Sequence, residues 1–382
     1  MSHSVTVSVD TCPGSTAEGI VHACSVVSGK GKATVRDVAH SAGVSVATVS
    51  HVLHGKAHLH APETVECVRQ AASALGYRPN RLAQSLARQR TRTLGIAIET
   101  MATGRFTANP FCIAVLDGIV EYTAETDHQV KVVSLRRTDG EYVSARLDDG
   151  SVDAVAILAP PADGPSVRWA CEASCPTVVV GSLPPDVPLA RIDVDDERAL
   201  FEAVCWLIHL GHERIGIITG PPSQWSAVRR ERAYTRALSE AGLRIDPALR
   251  YGGNYEASSG QLGAAALLNA NPPPTAIVCG NDAVALGALE TLHRLKVRVP
   301  DDISILGFDD HEFARWSRPQ LTTIRQPHRE MGVKAAEILI SAVEAGGPKP
   351  DSSVIYPGVL VKRQSVAAPS ARRPAERCSD EC

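Results

Sequence analysis

The chain has 382 residues, 44% of them hydrophobic but only 4% aromatic, and a formal net charge of −3. That length leaves room for two or three compact units with a sizeable core, and a composition poor in aromatics and rich in alanine and valine suits an α/β sheet protein. No apolar run is long enough to span a bilayer. Residues 1–32 also lack the basic start and uninterrupted apolar stretch of an export signal, so neither a membrane protein nor a secreted one is expected, and a cytoplasmic location is.

The charge is unevenly placed. Residues 30–92 hold ten Lys/Arg against three acids, so this stretch is +7 and the remainder −10. On charge alone a polyanion partner at one end and a merely solvated basic face are equally good readings. The ten cysteines include the pairs Cys171/Cys175 and Cys378/Cys382 but no paired C-x-x-C knuckles. Structural zinc is therefore not expected, and incidental thiols in a reducing compartment are.

In chain order, residues 1–32 are Ser/Gly/Thr-rich without a sustained period and read as disordered, with an over-called translation start an equally good reading. Thr34 followed by Asp37 is a capping-box start, and Val35, Val38 and Ala39 recur at helical spacing. Gly43 supplies a sharp turn, and Ser45 caps a second helix whose inward face carries Val49. A third helix begins at Pro62 and runs through Val65, Val68, Ala72 and Leu75 to Gly76, closing a small core. Two short helices joined by a tight glycine turn form a helix-turn-helix, with Val46, Ala47, Ser50 and His51 facing outward from the second.

The residues D-V-A-x-x-A-G-V-S-x-x-T-V-S from Asp37 to Ser50 resemble the signature of the LacI/GalR family of bacterial transcription regulators. The resemblance extends over about residues 33–366. It implies phosphate contacts from Thr34, Ser45, Thr48 and Ser50, which set register, and base contacts from Val46, Ala47 and His51. His51 stands where many members carry Arg, and His54 replaces a usual Asn. The loop from Gly55 to Pro62 is one residue longer than the common pattern. His51, His54, His58 and His60 also have a metal reading, but without a nearby cysteine or carboxylate set no metal site is expected.

The segment opening at Pro79 and Asn80, RLAQSLARQR, is too short and basic to hold a helix alone. It resembles the family's hinge helix. That resemblance implies pairing of two such helices on operator DNA, with Leu86 pressed into the minor groove, Ala83 beside it, and Arg81 and Arg88 on phosphates. The plain alternative for Leu86 is the apolar stripe of a linker helix.

From Thr93 onward strands and helices alternate. Strands are expected at 93–99, 130–135, 154–158, 177–180, 214–219, 276–279 and 303–308, and helices at about 110–126, 197–210, 229–241, 258–269 and 282–295. All-apolar strands alternating with helices mean parallel sheets covered on both faces, and about 270 residues of this exceed one doubly wound unit. The motifs NPF (109–111), LGHERIGIITG (210–220), NDAVALGALETL (281–292), VPDDISILGFDD (299–310), LTTIRQP (321–327) and VKRQS (361–365) resemble the same family's periplasmic-binding-protein-like core.

The expected fold is thus a small all-α helix-turn-helix DNA-binding domain (33–78), a hinge and linker (79–92), and an α/β core of two Rossmann-like lobes (93–366). The resemblance implies three crossings between lobes, with one lobe about 91–190 plus 326–348 and the other about 191–325 plus 349–366. Residues 367–382 read as a disordered tail, and no leucine heptad for tetramerisation follows Val366.

Ligands of open α/β sheets sit beyond the carboxyl ends of strands, which places Asn281 and Asp309 at the gap between lobes. The resemblance adds Arg230, Tyr255 and Phe111 as effector contacts. Asp/Asn and Arg suit vicinal hydroxyls, and a flat ring suits the apolar face of a sugar. For Asp309 the competing role is a cap, and for Arg230 an ion pair with a helix acid. Asp282 and Asp310 are expected to brace loops, Asp195 is open between the two roles, and Ala233 replaces a usual glycine.

The function implied is a homodimeric repressor of carbohydrate-utilisation genes. It would bind partly palindromic operator DNA under control of a small sugar or sugar-phosphate effector, with a nucleoside or purine as the alternative and no cofactor. A sugar-binding transport receptor is the rival from another class. An enzyme is not expected: no G-x-G-x-x-G follows the first strand, and Walker A, G-x-S-x-G and H-E-x-x-H motifs are missing.

Overall fold

The computed structural model describes residues 33–53, 55–78, 90–100, 109–136, 140–347, 350–351 and 353–370. The expectations for residues 1–32, His54, the hinge residues Asn80, Arg81, Ala83, Leu86 and Arg88, and residues 371–382 lie outside the described residues.

The head is three helices, α1 (Val35–Ala42), α2 (Val46–Leu53) and α3 (Pro62–Ala74), with a 3-10 turn at Ala57–Leu59. Thr34 caps α1 in a full capping box: its hydroxyl accepts from Asp37 N, and its own N–H donates to Asp37 Oδ2 at 2.8 Å. Gly43 ends α1 at φ 65°, the left-handed conformation that favours glycine. Val38, Ala39, Val49, Val52, Val68, Ala71 and Ala72 form the core, with Val35 and Val65 packed at its edge. Leu75, expected in this core, is exposed: it follows the last turn of α3, and Ala71 and Ala72 occupy the inward face instead.

The core carries two parallel sheets. The first is built from β1 (Thr93–Thr100), β2 (Gln129–Arg136), β3 (Ala154–Leu158), β4 (Thr177–Val180), β5 (Arg191–Asp195) and β11 (Val354–Pro357), in the order β11-β5-β4-β3-β1-β2. On one face, β1 residues Leu94 and Ile96 pack against α4 (Pro110–Ala124) and α12 (His328–Glu344). On the other, Ala97, Val133 and Ile157 pack against α5 (Gly140–Leu147) and α6 (Pro165–Glu172).

The second sheet is β7-β6-β8-β9, from β6 (Ile215–Ile218), β7 (Arg250–Tyr251), β8 (Ala276–Cys279) and β9 (Ser304–Leu306). Helices α7 (Asp196–His209) and α8 (Trp225–Glu240) cover one face, and α9 (Ala257–Leu268) and α10 (Asp282–Arg294) the other. A short α11 (Glu312–Trp316) follows β9, and β10 (Thr323–Arg325) pairs antiparallel with β12 (Val359–Val361).

Both lobes use one device for close helix contact. Gly118 of α4 lies against the α12 backbone and Gly332 of α12 against the α4 backbone; Gly260 of α9 and Gly287 of α10 repeat this in the second lobe. A Cβ at any of the four would meet main chain.

The lobe boundaries differ from expectation. Residues 191–195 were expected in the second lobe but pair with β4 in the first sheet, and Val354–Pro357 pair with β5 there. The chain crosses after Asp195, between Arg325 and His328, and at Gly358. At Gly358 a Cβ would press on Ala199 and Ile324, so the crossing has no room for a side chain. Cys112 and Cys279 are buried thiols, and burial pushes Cys112 up to about 12. Among the described residues no helix is long and apolar enough to cross a membrane.

Candidate functional site

In the head, α2 presents Val46 and Ala47 exposed, with Ser50 and His51 half-buried. Ser45 caps this helix, its Oγ accepting from Thr48 N at 3.0 Å and lying 2.9 Å from Thr48 Oγ1. Thr34 and Ser45, expected at phosphates, thus also hold the two helix starts. His51 Nδ1 is 3.2 Å from His60 Nε2, so the loop before α3 braces the ring expected to reach a base edge. His58 is exposed.

The second site is a cleft between the lobes. Phe111, Arg230, Tyr255, Asn281 and Asp309 all line it. Phe111 opens α4 in the first lobe, and its ring meets His328 edge-on at 5.2 Å. Tyr255 sits in the β7–α9 loop at φ 67°; its ring lies over Gly220 and Gly280, and its hydroxyl is 3.1 Å from Ser226 Oγ. Those two glycines leave the space that the ring fills.

Arg230 is 8% exposed on α8. Its Nη1 donates to Gly280 O at 2.7 Å, its Nε stands 3.3 Å from Asp196 Oδ2, and its guanidinium lies 3.7 Å from the centre of the Phe308 ring. The ion pair with a helix acid weighed for this residue is present, and the residue also lines the cleft. Asn281 lines the cleft too, but its amide is engaged by the main chain. Its Oδ1 accepts from Val284 N at 2.8 Å as the α10 cap, and its Nδ2 donates to Tyr255 O at 3.0 Å.

Asp309 is 5% exposed, at φ 126°. Its Oδ1 accepts from Gln326 Nε2 at 2.6 Å, and its Oδ2 is 3.3 Å from His311 Nε2. Burial pushes this carboxyl up, but His311, His328 and Arg230 outweigh that and hold it below its ordinary value. Burial drives the His328 imidazole down to about 4.

Neighbouring acids serve the scaffold. Asp282 accepts from Thr323 Oγ1 at 2.5 Å and His311 N at 2.9 Å; burial and the charge of Asp309 push its carboxyl up to about 8. Asp310 pairs with Arg325 and Arg363, and Asp195 caps α7. Ala233 is fully buried in the second-lobe core, away from the cleft lining.

Several cleft residues escape the sequence reading. Glu99, at the carboxyl end of β1, accepts from Ser166 N at 2.9 Å through Oε1, while its buried Oε2 has no hydrogen-bond partner. Its place after an apolar strand is the signal that pointed to Asn281 and Asp309. Asp193 and Ser182 line the first-lobe wall, where Arg229 of α8 reaches across to Asp193 Oδ2 at 2.7 Å and on to Asp196 at 2.7 Å. Two loop bonds also join the lobes: Gln224 Nε2 to Ala159 O at 3.1 Å and Ala162 N to Ser223 O at 2.8 Å.

Comparison with known proteins covers both the head and the core. Residues 34–80 fit the profile of bacterial regulatory proteins of the lacI family, and residues 204–366 that of the periplasmic binding protein-like domain. The chain is 33% identical over 319 residues to the HTH-type transcriptional repressor PurR of Vibrio atlanticus (strain LGP32), covering 82% of this chain and 92% of the relative. It is 30% identical over 341 residues to the ribose operon repressor of Haemophilus influenzae, covering 87% and 98%. A crystal structure of the lac repressor dimer bound to operator and the anti-inducer ONPF superposes with a TM-score of 0.78 at 29% identity, covering 88% of this chain and all of that one. The chain belongs to the lacI family of bacterial regulatory proteins, a non-enzymatic family of DNA-binding transcriptional regulators.

Proposed function

We propose that the protein is a homodimeric repressor whose affinity for a partly palindromic operator is set by a small neutral sugar held between the lobes. The observation that carries this reading is the convergence on one cleft of Phe111 from the first lobe with Arg230, Tyr255 and Asp309 from the second. Glu99 Oε2 adds a buried acceptor without a partner. Fixed acceptors, a forked donor and flat rings suit the vicinal hydroxyls and apolar face of a sugar ring.

The charge of the lining separates sugar from sugar phosphate. Glu99, Asp193, Glu256 and Asp309 face Arg230, with Arg229 behind Asp193. A phosphate dianion would meet more carboxylate than guanidinium, so an uncharged polyol fits better. A nucleoside is the second reading, favoured by the two rings Phe111 and Tyr255, which suit a flat base as well as a pyranose.

Val46, Ala47 and His51 carry base reading in this account, and Thr34, Ser45, Thr48 and Ser50 the phosphate register. Asn80, Arg81, Ala83 and Leu86 supply the minor-groove hinge. Ligand acts only by favouring one lobe arrangement over another. The test has two arms: a mobility shift on the protein's own promoter region, and a thermal-shift panel of sugars, sugar phosphates and nucleosides. Retardation at modest salt together with a shift from a neutral sugar supports the reading. No retardation ends the repressor assignment, and a response to nucleosides alone ends the sugar assignment.

A further inference from the structure

We propose that Asp309, His311 and His328 form a site for a borderline divalent transition-metal ion, Zn2+ in the first instance, at the seam between the two lobes. One donor atom from each of the three side chains lies within 4.8 Å of the others. All three residues are deeply buried, at 5%, 8% and 6% exposure. Zinc bonds to imidazole nitrogen and carboxylate oxygen are about 2.0–2.2 Å, which in a tetrahedron sets donors about 3.3–3.5 Å apart. His311 Nε2 is already 3.3 Å from Asp309 Oδ2, and His328 Nε2 is 4.0 Å from Oδ1. The two distances run to different oxygens of one carboxylate, so Asp309 faces both imidazoles at once.

A second observation is independent of that spacing. The Nε2 atoms of both histidines are buried yet neither makes an aligned hydrogen bond. Buried polar atoms without an aligned hydrogen bond are uncommon because each forfeits its hydration, and here both face the Asp309 carboxylate as their sole charged neighbour of opposite sign within 4.0 Å among the described residues. The two imidazoles stack at 4.9 Å with an interplanar angle of 19°. The surroundings hold the donors in place, as outer partners do at metal sites: Gln326 Nε2 donates to Asp309 Oδ1, and Asp282 accepts from His311 N. The Arg230 guanidinium, whose charge bears on Asp309, has Asp196 as counter-ion.

Two imidazoles and one carboxylate are a donor set that leaves coordination positions open. Asp309 lines the cleft, so an open position faces it and an oxygen of water or of a polyol effector completes the shell; this last clause rests on the cleft reading above. The ion also has a mechanical consequence. His328 opens α12 of the first lobe, while Asp309 and His311 belong to the second, so coordination staples the lobes together where the chain crosses.

The test uses the full chain, stripped with chelator and titrated with Zn2+ by calorimetry and with Co2+ by visible absorption, without DNA or effector. One Zn2+ per chain is expected, with affinity reduced at least about tenfold in His328→Phe and in His311→Val. Cobalt bands should appear in the parent protein and vanish in His328→Phe. Circular dichroism of the metal-free variants checks folding, and Asp309→Asn replaces either histidine variant that fails that check. His51→Asn/His60→Asn, which removes the other close imidazole pair, should retain the affinity. Failure to bind Zn2+ at micromolar concentration, undiminished binding in both core histidine variants, or loss in the head variant overturns the site. Because neither DNA nor sugar is present, failure of the repressor reading leaves this result intact.

Discussion

Replacing Arg230 by methionine keeps most of the side-chain volume and removes the cation from the cleft lining. The simple expectation, that a buried acid left alone costs about 3–5 kcal/mol, overstates the loss here. Asp196 keeps Arg229 at 2.7 Å, and burial already raises its carboxyl to about 7 against the pull of Arg230 and Arg229. Without Arg230 it takes up a proton instead of remaining an orphaned charge. What is lost at pH 6 is the charged hydrogen bond to Gly280 O and the stack on Phe308, together about 2–4 kcal/mol.

The pH dependence follows with a definite sign. A carboxyl whose folded pKa lies above its unfolded value binds an extra proton in the native state, so stability falls as pH rises through that interval. In the parent protein this fall ends near pH 7; in Arg230→Met it continues higher, at up to about 1.4 kcal/mol per pH unit. Urea unfolding at pH 6 and pH 8.5 should therefore show a larger deficit at the higher pH. Affinity for whichever sugar the screen finds should drop about 10- to 150-fold through loss of a charged donor. A deficit independent of pH, or unchanged sugar affinity in the folded variant, refutes the reasoning.

Other consequences are simpler. Gly43→Ala meets no neighbouring atom but must hold φ 65°, so it should cost the head about 1–2 kcal/mol in chemical denaturation and weaken operator binding without touching sugar affinity. Asn281→Ala should cost about 1–2 kcal/mol of core stability, read by urea melts, because the side chain caps α10. Glu99→Gln keeps an acceptor for Ser166 but removes the charge beside the cleft, and calorimetry should record about a five- to tenfold loss of sugar affinity.

Much of this molecule is legible in its sequence because its signals are local. The apolar strands at 154–158, 177–180 and 276–279 coincide with β3, β4 and β8 to the residue, since a strand buried on both faces has little choice of composition. β5, written RIDVD, went unread: its charged residues serve an interlobe ion pair and a helix cap, which periodicity does not register. Its absence also shifted the expected lobe boundary. Phe111, Asn281 and Asp309 stand at helix starts and strand ends that the motifs mark, whereas Arg230 within α8 and Tyr255 in a loop came from the family resemblance alone. Glu99, His311 and His328 were missed because what distinguishes each is a single buried atom without an aligned hydrogen bond, which only three dimensions reveal. Asn281 shows the converse, a residue in the cleft whose polar atoms are already engaged by backbone.

The most direct measurement is a fluorescence-anisotropy titration of the promoter fragment with full-length protein at about 0.1 M salt, in the absence and presence of saturating sugar. Coupling between the two sites of about 1–3 kcal/mol predicts a change in operator affinity of about 5- to 150-fold in one direction. Identical affinities, with the same sugar shown to occupy the protein, contradict the claim that the lobes report to the head.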